Sequence, residues 1–93
     1  MPLRFTWDRR KAAANLSKHG VSFPEAASAF GDPLSITIPD PDHSLDEEHF
    51  ILIGRSIRQH LVVVAHVERG DTIRIISART ASRRERRFYE EGE

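Results

Sequence analysis

Ninety-three residues make one small domain, 1–93, and are too few for two; a chain of this size buries roughly 60–65% of the surface that its unfolded form exposes. With no cysteine, the sequence excludes a disulfide framework and a thiolate zinc site, and no stretch approaches the ~20 apolar residues of a membrane span. The 14 basic and 14 acidic residues cancel, which as a total argues against a nucleic-acid binder, yet they are unevenly placed. Arg74, Arg79, Arg83, Arg84, Arg86 and Arg87 crowd the last third, Arg4, Arg9, Arg10, Lys11 and Lys18 lie near the start, and Asp40, Asp42, Asp46, Glu47 and Glu48 share one central loop. A basic face and an acidic lobe are expected.

Leu3 to Trp7 alternates apolar and polar residues as a short strand does, and has no apolar run of the kind a signal peptide needs, so a cytoplasmic location is expected. Asp8 is placed to cap a helix whose apolar stripe is Ala12, Ala13 and Leu16 and whose stop is Gly20. Ser22-Phe23-Pro24-Glu25 has the pattern of a capping box and opens a second helix with Phe23, Ala26, Ala27 and Phe30 on one face, ended by Gly31-Asp32-Pro33. Four strand-like runs follow: Leu34 to Ile38, Phe50 to Ile57, Leu61 to Val67 and Thr72 to Ala78. A second capping box, Ser82 to Glu85, starts a C-terminal helix that runs to about Glu91. The order gives an α+β domain: an antiparallel sheet of about four strands, with a possible extra strand in front, two N-terminal helices and one C-terminal helix.

The last hairpin carries a register expectation. A three-residue turn, Arg69 to Asp71, sets His66 opposite Arg74 and Glu68 opposite Thr72, and leaves Leu61, Val63, Ala65, Val67, Ile73 and Ile75 as an apolar core face. His66, Glu68 and Arg74 then become neighbours on the other face. Arg55 joins them or not according to the length of the turn after Ile57, which the pattern leaves open.

Several short blocks recur together in one known family. Phe5-Thr6-Trp7-Asp8, Lys11-Ala12, Asn15, Lys18-His19-Gly20-Val21-Ser22-Phe23, Glu25-Ala26, Phe30 and Asp32-Pro33 come in the first half. Asp42-His43-Ser44, Glu47-Glu48, Gly54-Arg55-Ser56, Leu61-Val62-Val63-Val64, Glu68-Arg69-Gly70, Ile73-Arg74-Ile75-Ile76-Ser77-Ala78-Arg79, Glu85-Arg86 and Tyr89-Glu90 come in the second. In order and spacing the chain resembles the BrnT family over nearly its whole length. The resemblance implies a RelE-like fold, a metal-independent endoribonuclease that inhibits growth, and a BrnA-like antitoxin whose ribbon-helix-helix part binds operator DNA, so that DNA is met only through the complex. Two positions depart from the pattern. His49 stands where a charged residue, often Arg, follows the Glu pair, and Arg58-Gln59-His60 replaces a turn that more often carries Gly.

Metal-free RNA cleavage needs a base for the 2′-OH, an acid for the leaving 5′ oxygen and cations for the phosphorane. Arg79 suits the last role, at a junction between strand and helix where a guanidinium fork and free amides can converge on a phosphate. His19, beside Lys18 at a helix end, and Glu68 are the acid–base candidates; Lys18, Arg55, Arg74, Arg83, Arg86 and Tyr89 are the expected RNA contacts. Each has a structural alternative: an ion pair for Arg79, a helix cap for His19, a cross-strand pair for Glu68, a core-edge ring for Tyr89. No two of the five histidines have the i, i+4 spacing of a zinc-protease helix, and neither a metal nor another cofactor is expected. The competing function is a homologue without activity that serves as a corepressor subunit for a DNA-binding antitoxin.

Overall fold

A computed structural model describes residues 3–43 and 48–92. β1 (Arg4–Thr6) leads into α1 (Arg9–His19), whose first amides are met by Asp8: its carboxylate accepts from the backbone N–H of Arg10 at 2.8 Å and of Lys11 at 3.1 Å. Gly20, at φ 73°, ends the helix in the left-handed conformation a residue without Cβ adopts readily. The expected apolar stripe of α1 is not what holds it. Leu16 is half exposed and Ala13 exposed, and the buried residue of the helix is Asn15.

Asn15 is buried because it completes a sheet edge. α2 (Phe23–Ser28), a 3₁₀ turn (Ala29–Gly31), β2 (Ile36–Pro39), β3 (His49–Arg55), β4 (Leu61–Arg69), β5 (Thr72–Thr80) and α3 (Arg83–Glu91) follow α1. The sheet has five strands in the order β1-β5-β4-β3-β2, one more than the sequence pattern counts; the extra strand is the short opening run. It is mixed, since β1 lies parallel to β5. β1 reaches along β5 only from Thr72 to Arg74, so beyond that point no strand among the described residues pairs with the outer edge of β5. There the Asn15 side-chain amide stands in for a peptide group. Its Oδ1 accepts from the Ala78 N–H at 3.0 Å, and its Nδ2 donates to the Ala78 carbonyl at 2.8 Å and to the Val21 carbonyl at 3.0 Å.

The β4–β5 register differs from the three-residue expectation. The turn is Gly70-Asp71, with Gly70 at φ 61°, so Arg69 pairs with Thr72, Glu68 with Ile73, Val67 with Arg74 and His66 with Ile75. A bulge then leaves Ile76 unpaired, and Ala65 pairs with Ser77, Val64 with Ala78 and Val63 with Arg79. The main core therefore takes the opposite face of β4 from the one expected, whereas Ile73 and Ile75 of β5 lie in it as expected: Val62, Val64, Ile73, Ile75, Ala78 and Leu52 pack with Val21, Phe23, Ala26 and Ala29 beneath α1 and α2. His66 belongs to this face. It is 1% exposed, edge-on to Phe30 and near Phe50, with its Nδ1 3.1 Å from the Val64 carbonyl. A fully apolar run on both faces, broken only by His66, invites the opposite reading, because a histidine is the residue expected to face water.

The second face carries a smaller cluster. Ile53, Leu61 and Val63 are covered by Phe88, Tyr89 and Ala81 from α3 and its approach. α3 begins with the complete capping box that the sequence shows: Ser82 Oγ accepts from the Glu85 N–H and Glu85 Oε1 accepts from the Ser82 N–H. The box expected at Ser22 is half made. Ser22 Oγ accepts from the Glu25 N–H, but the Glu25 carboxylate turns inward to Ser56 Oγ and His60 Nδ1, both at 2.8 Å. Among the described residues no helix is long and apolar enough to cross a membrane.

Candidate active site

α3 covers only part of the second sheet face. The part that α3 leaves open among the described residues is floored by Val67, Ala65 and Ser77, and Arg74, on this same face, is exposed. Beside it a cleft of about 340 Å³ is lined by residues that include Asp40, Asp42, His43, His49, Ser77 and Arg79. β5 sends Arg79 into this cleft, β3 supplies His49, and the turn after β2 supplies Asp40 and His43.

The turn is built by Asp40. Its Oδ1 accepts from the Asp42 N–H at 2.9 Å, its own carbonyl accepts from the His43 N–H at 3.0 Å, and its N–H donates to the His49 carbonyl at 3.0 Å. Its second carboxylate oxygen lies 3.2 Å from His43 Nδ1. The Asp40 side chain is 8% exposed and that of His43 53% exposed, so a shielded carboxylate holds an imidazole whose far edge is open. The His43 ring also stacks on that of His49, with centroids 4.4 Å apart and planes 11° apart. Of the acidic lobe, Asp46 and Glu47 lie outside the described residues; Asp40 is buried and not part of an exposed lobe.

Arg79 is present in the cleft and already paired. Both its terminal nitrogens donate to the Glu85 carboxylate at 2.7 Å, and Nη1 also reaches the Thr80 carbonyl at 3.3 Å. The Arg79 hydrogen bonds hold the Glu85 carboxyl at a pKa of about 2, against the ordinary 4.5, despite a contrary push from burial; the Ser82 N–H adds to the lowering. The same bonds raise the Arg79 pKa, so the guanidinium is charged at every accessible pH.

The other residues singled out from sequence fall in three places. Glu68 does meet His66, with Nε2 and Oε2 2.8 Å apart, as expected. Arg74 does not join them: paired with Val67, it lies on the second face, because the two-residue turn shifts the register by one. Arg55 also lies on the second face, opposite Leu61, at the end of β3 beside α3. It meets Tyr89 there, its guanidinium carbon 5.8 Å from the ring centroid, while the Tyr89 hydroxyl donates to Asp32 Oδ2 at 2.7 Å. That bond raises the Tyr89 pKa. Burial pushes the Asp32 carboxyl up, but its bonds from Tyr89 and from the N–H groups of Arg55 and Leu34 outweigh it and leave its pKa lowered. Tyr89 is thus a core-edge ring as well as a polar one.

Lys18 and His19 are exposed at the end of α1, and Arg83 and Arg86 are exposed on α3. His19 lies one turn past Asn15, which is bonded to Ala78, whereas Glu68 pairs with Ile73; the two stand toward opposite ends of β5. His19, Glu68 and Arg79 do not form one constellation. Sequence reasoning missed Asp40 and His43 as a pair. The available signal was Asp-x-x-His straight after a strand, a spacing that closes one turn of 3₁₀ helix.

The comparisons with known proteins agree with the fold and name a family. No curated protein sequence matches the chain at a significant level. A crystal structure of the Brucella abortus ribonuclease toxin, BrnT, superimposes with a TM-score of 0.67 at 21% identity, covering 87% of this chain and 99% of that one. The family described as "Ribonuclease toxin, BrnT, of type II toxin-antitoxin system" matches residues 7–85. On that span the chain belongs to the BrnT family of ribonuclease toxins.

Proposed function

We propose that this chain is a metal-independent endoribonuclease that inhibits growth in the cytoplasm. RNA lies across the uncovered half of the second sheet face, with Arg79 and Arg74 holding backbone phosphates and the exposed Arg83 and Arg86 of α3 extending the track. Arg55 with Tyr89, and Lys18 with His19, are further contacts outside the cleft, whereas Glu68, bonded to the buried His66 of the other sheet face, takes no part in it. The observation that carries this reading is the cleft itself, which places a permanently charged guanidinium and two imidazoles in one opening. Those groups can stabilise a phosphorane and move a proton without a metal ion. The fold, as one domain, is read as RelE-like. A BrnA-like antitoxin with a ribbon-helix-helix part neutralises the toxin by covering the arginines of β5 and α3. Operator DNA is bound by that complex.

The test is purified protein with RNA in EDTA. Cleavage should persist and leave 2′,3′-cyclic or 3′ phosphate ends, and Arg79→Ala should lower it by about 10²-fold or more, with Arg79→Lys only partly restoring it. Cleavage that stops in EDTA and returns with a divalent ion refutes the metal-independent mechanism. One observation favours a second reading, a subunit without activity that serves a DNA-binding antitoxin: the end of the Arg79 fork is filled by Glu85. In that case the wild-type protein leaves RNA intact in every buffer and still binds its partner.

A further inference from the structure

We propose that His43, held by Asp40, is the proton-transferring residue of RNA cleavage. The proposal deepens the ribonuclease reading and rests on it. Three features of the turn after β2 carry it.

The first is the asymmetry of the pair. An ionised carboxylate only accepts hydrogen bonds, so Asp40 Oδ2 at 3.2 Å fixes the proton of a neutral His43 on Nδ1 and leaves the Nε2 lone pair unprotonated. The second is pre-organisation. The Asp40 bond sets one edge of the ring, and stacking on His49 sets its plane. Asp40 is itself tied by its backbone bonds to His49 and His43 and by the Asp42 N–H on Oδ1, so the carboxylate has little freedom. The third is location. His43 lines the cleft that Arg79 enters, with about half of its side chain open to solvent and so to a substrate backbone.

The step balances with no further reagent than water. Nε2 of His43 takes the proton of the 2′-OH, the 2′ oxygen forms a bond to phosphorus, and the bond from phosphorus to the 5′ oxygen breaks. The leaving oxygen takes a proton from water, and the hydroxide so formed is neutralised by the proton that His43 then releases. The products are a 2′,3′-cyclic phosphate and a 5′-OH, and the imidazole is returned neutral. Arg79 holds the charge that grows on the phosphate oxygens. Asp40 touches neither substrate nor reacting atom and is a positioning residue.

Steady-state cleavage of a defined oligoribonucleotide tests this. His43→Gln, whose amide can still donate to Asp40 but cannot carry a proton, should lower kcat by about 10²-fold or more with KM and melting temperature unchanged. His43→Ala should lose as much and regain part of its rate when imidazole is added to the buffer. Asp40→Asn keeps the Oδ1 acceptor of the turn, but its amide donates to Nδ1 and moves the ring proton to Nε2; kcat should fall at least about 10-fold with KM unchanged, and added imidazole should not help. A His43→Gln protein with wild-type kcat overturns the assignment while the ribonuclease reading stands. Loss of rate in His43→Ala without imidazole rescue, accompanied by a lowered melting temperature, assigns His43 to structure and also overturns it. Wild-type protein inert toward RNA removes both readings.

Discussion

The ion pair between Arg79 and Glu85 should weaken in acid, and Glu85→Gln probes it. Glutamine keeps the oxygen that accepts from the Ser82 N–H, but loses the charge and replaces Oε2, the acceptor of Arg79 Nη2, with an amide that can only donate. The folded-state pKa of about 2 against 4.5 corresponds to about 3.4 kcal/mol at neutral pH for a pair shielded from solvent. Arg79 is 46% exposed, however, so solvent screening reduces the pair to about 1–1.5 kcal/mol. The folded pKa is depressed, so the contribution is fully present above pH 4.5 and is lost as pH falls through about 2. Urea unfolding of the wild type and Glu85→Gln should therefore differ by about 1–1.5 kcal/mol at pH 7, with the gap shrinking toward zero near pH 2. The other acidic groups titrate in both proteins and cancel in the difference. A gap that is equal at pH 7 and pH 2 refutes the electrostatic account and leaves only the hydrogen bond from Arg79 Nη2 that glutamine cannot accept.

Asn15→Ala should lower stability by about 3–5 kcal/mol, since it leaves the Ala78 N–H and the Ala78 and Val21 carbonyls buried without partners. A urea-derived loss below about 1 kcal/mol would show that water replaces the amide at the β5 edge. Gln59→Gly should raise stability by about 0.5–1 kcal/mol, and the melting temperature by a few degrees, because Gln59 sits at φ 67° where a side chain is strained. A lowered melting temperature would show that contacts of the Gln59 side chain outweigh that strain.

Local signals in the sequence translated directly into structure. The Asp8 cap, the Gly20 stop and the Ser82 box depend on neighbours within four residues, and all three form as their spacing implies. The turn at Arg58-Gln59-His60, where a glycine is more usual, has its left-handed residue at Gln59. Signals that depend on which face is buried were harder to read. His66 reads as a polar residue and Asn15 as one too, yet both are buried, each satisfied by a partner distant from the hydrophobic pattern or invisible to it. Ser22 and Glu25 have the spacing of a reciprocal cap, but Ser56 and His60, more than 30 residues away, take the carboxylate instead. The candidate site suffered the same way. Arg79 stood out by its place between strand and helix, whereas Asp40 and His43 become a pair only once a short turn closes and His49 is brought beneath it from the next strand.

The bulge in β5 connects the fold to the cleft. From Ile73, strict alternation would place Ile73, Ile75, Ser77 and Arg79 on one face, and Arg79 would then point under α1 and α2 into the main core. The unpaired Ile76 breaks the alternation, so that Ile76 and Ser77 both line the cleft, Ala78 returns to the core and Arg79 emerges on the second face. Asn15 grips the backbone of Ala78 immediately after the bulge, on the edge that β1 is too short to cover. Burying that amide is costly unless all its bonds are made, and here they tie α1 to the one strand position that decides which way Arg79 faces. The buried Asn15, the bulge and the guanidinium in the cleft are consecutive links of one arrangement. A substitution that loosens the first should displace the last, although Asn15 touches nothing in the cleft.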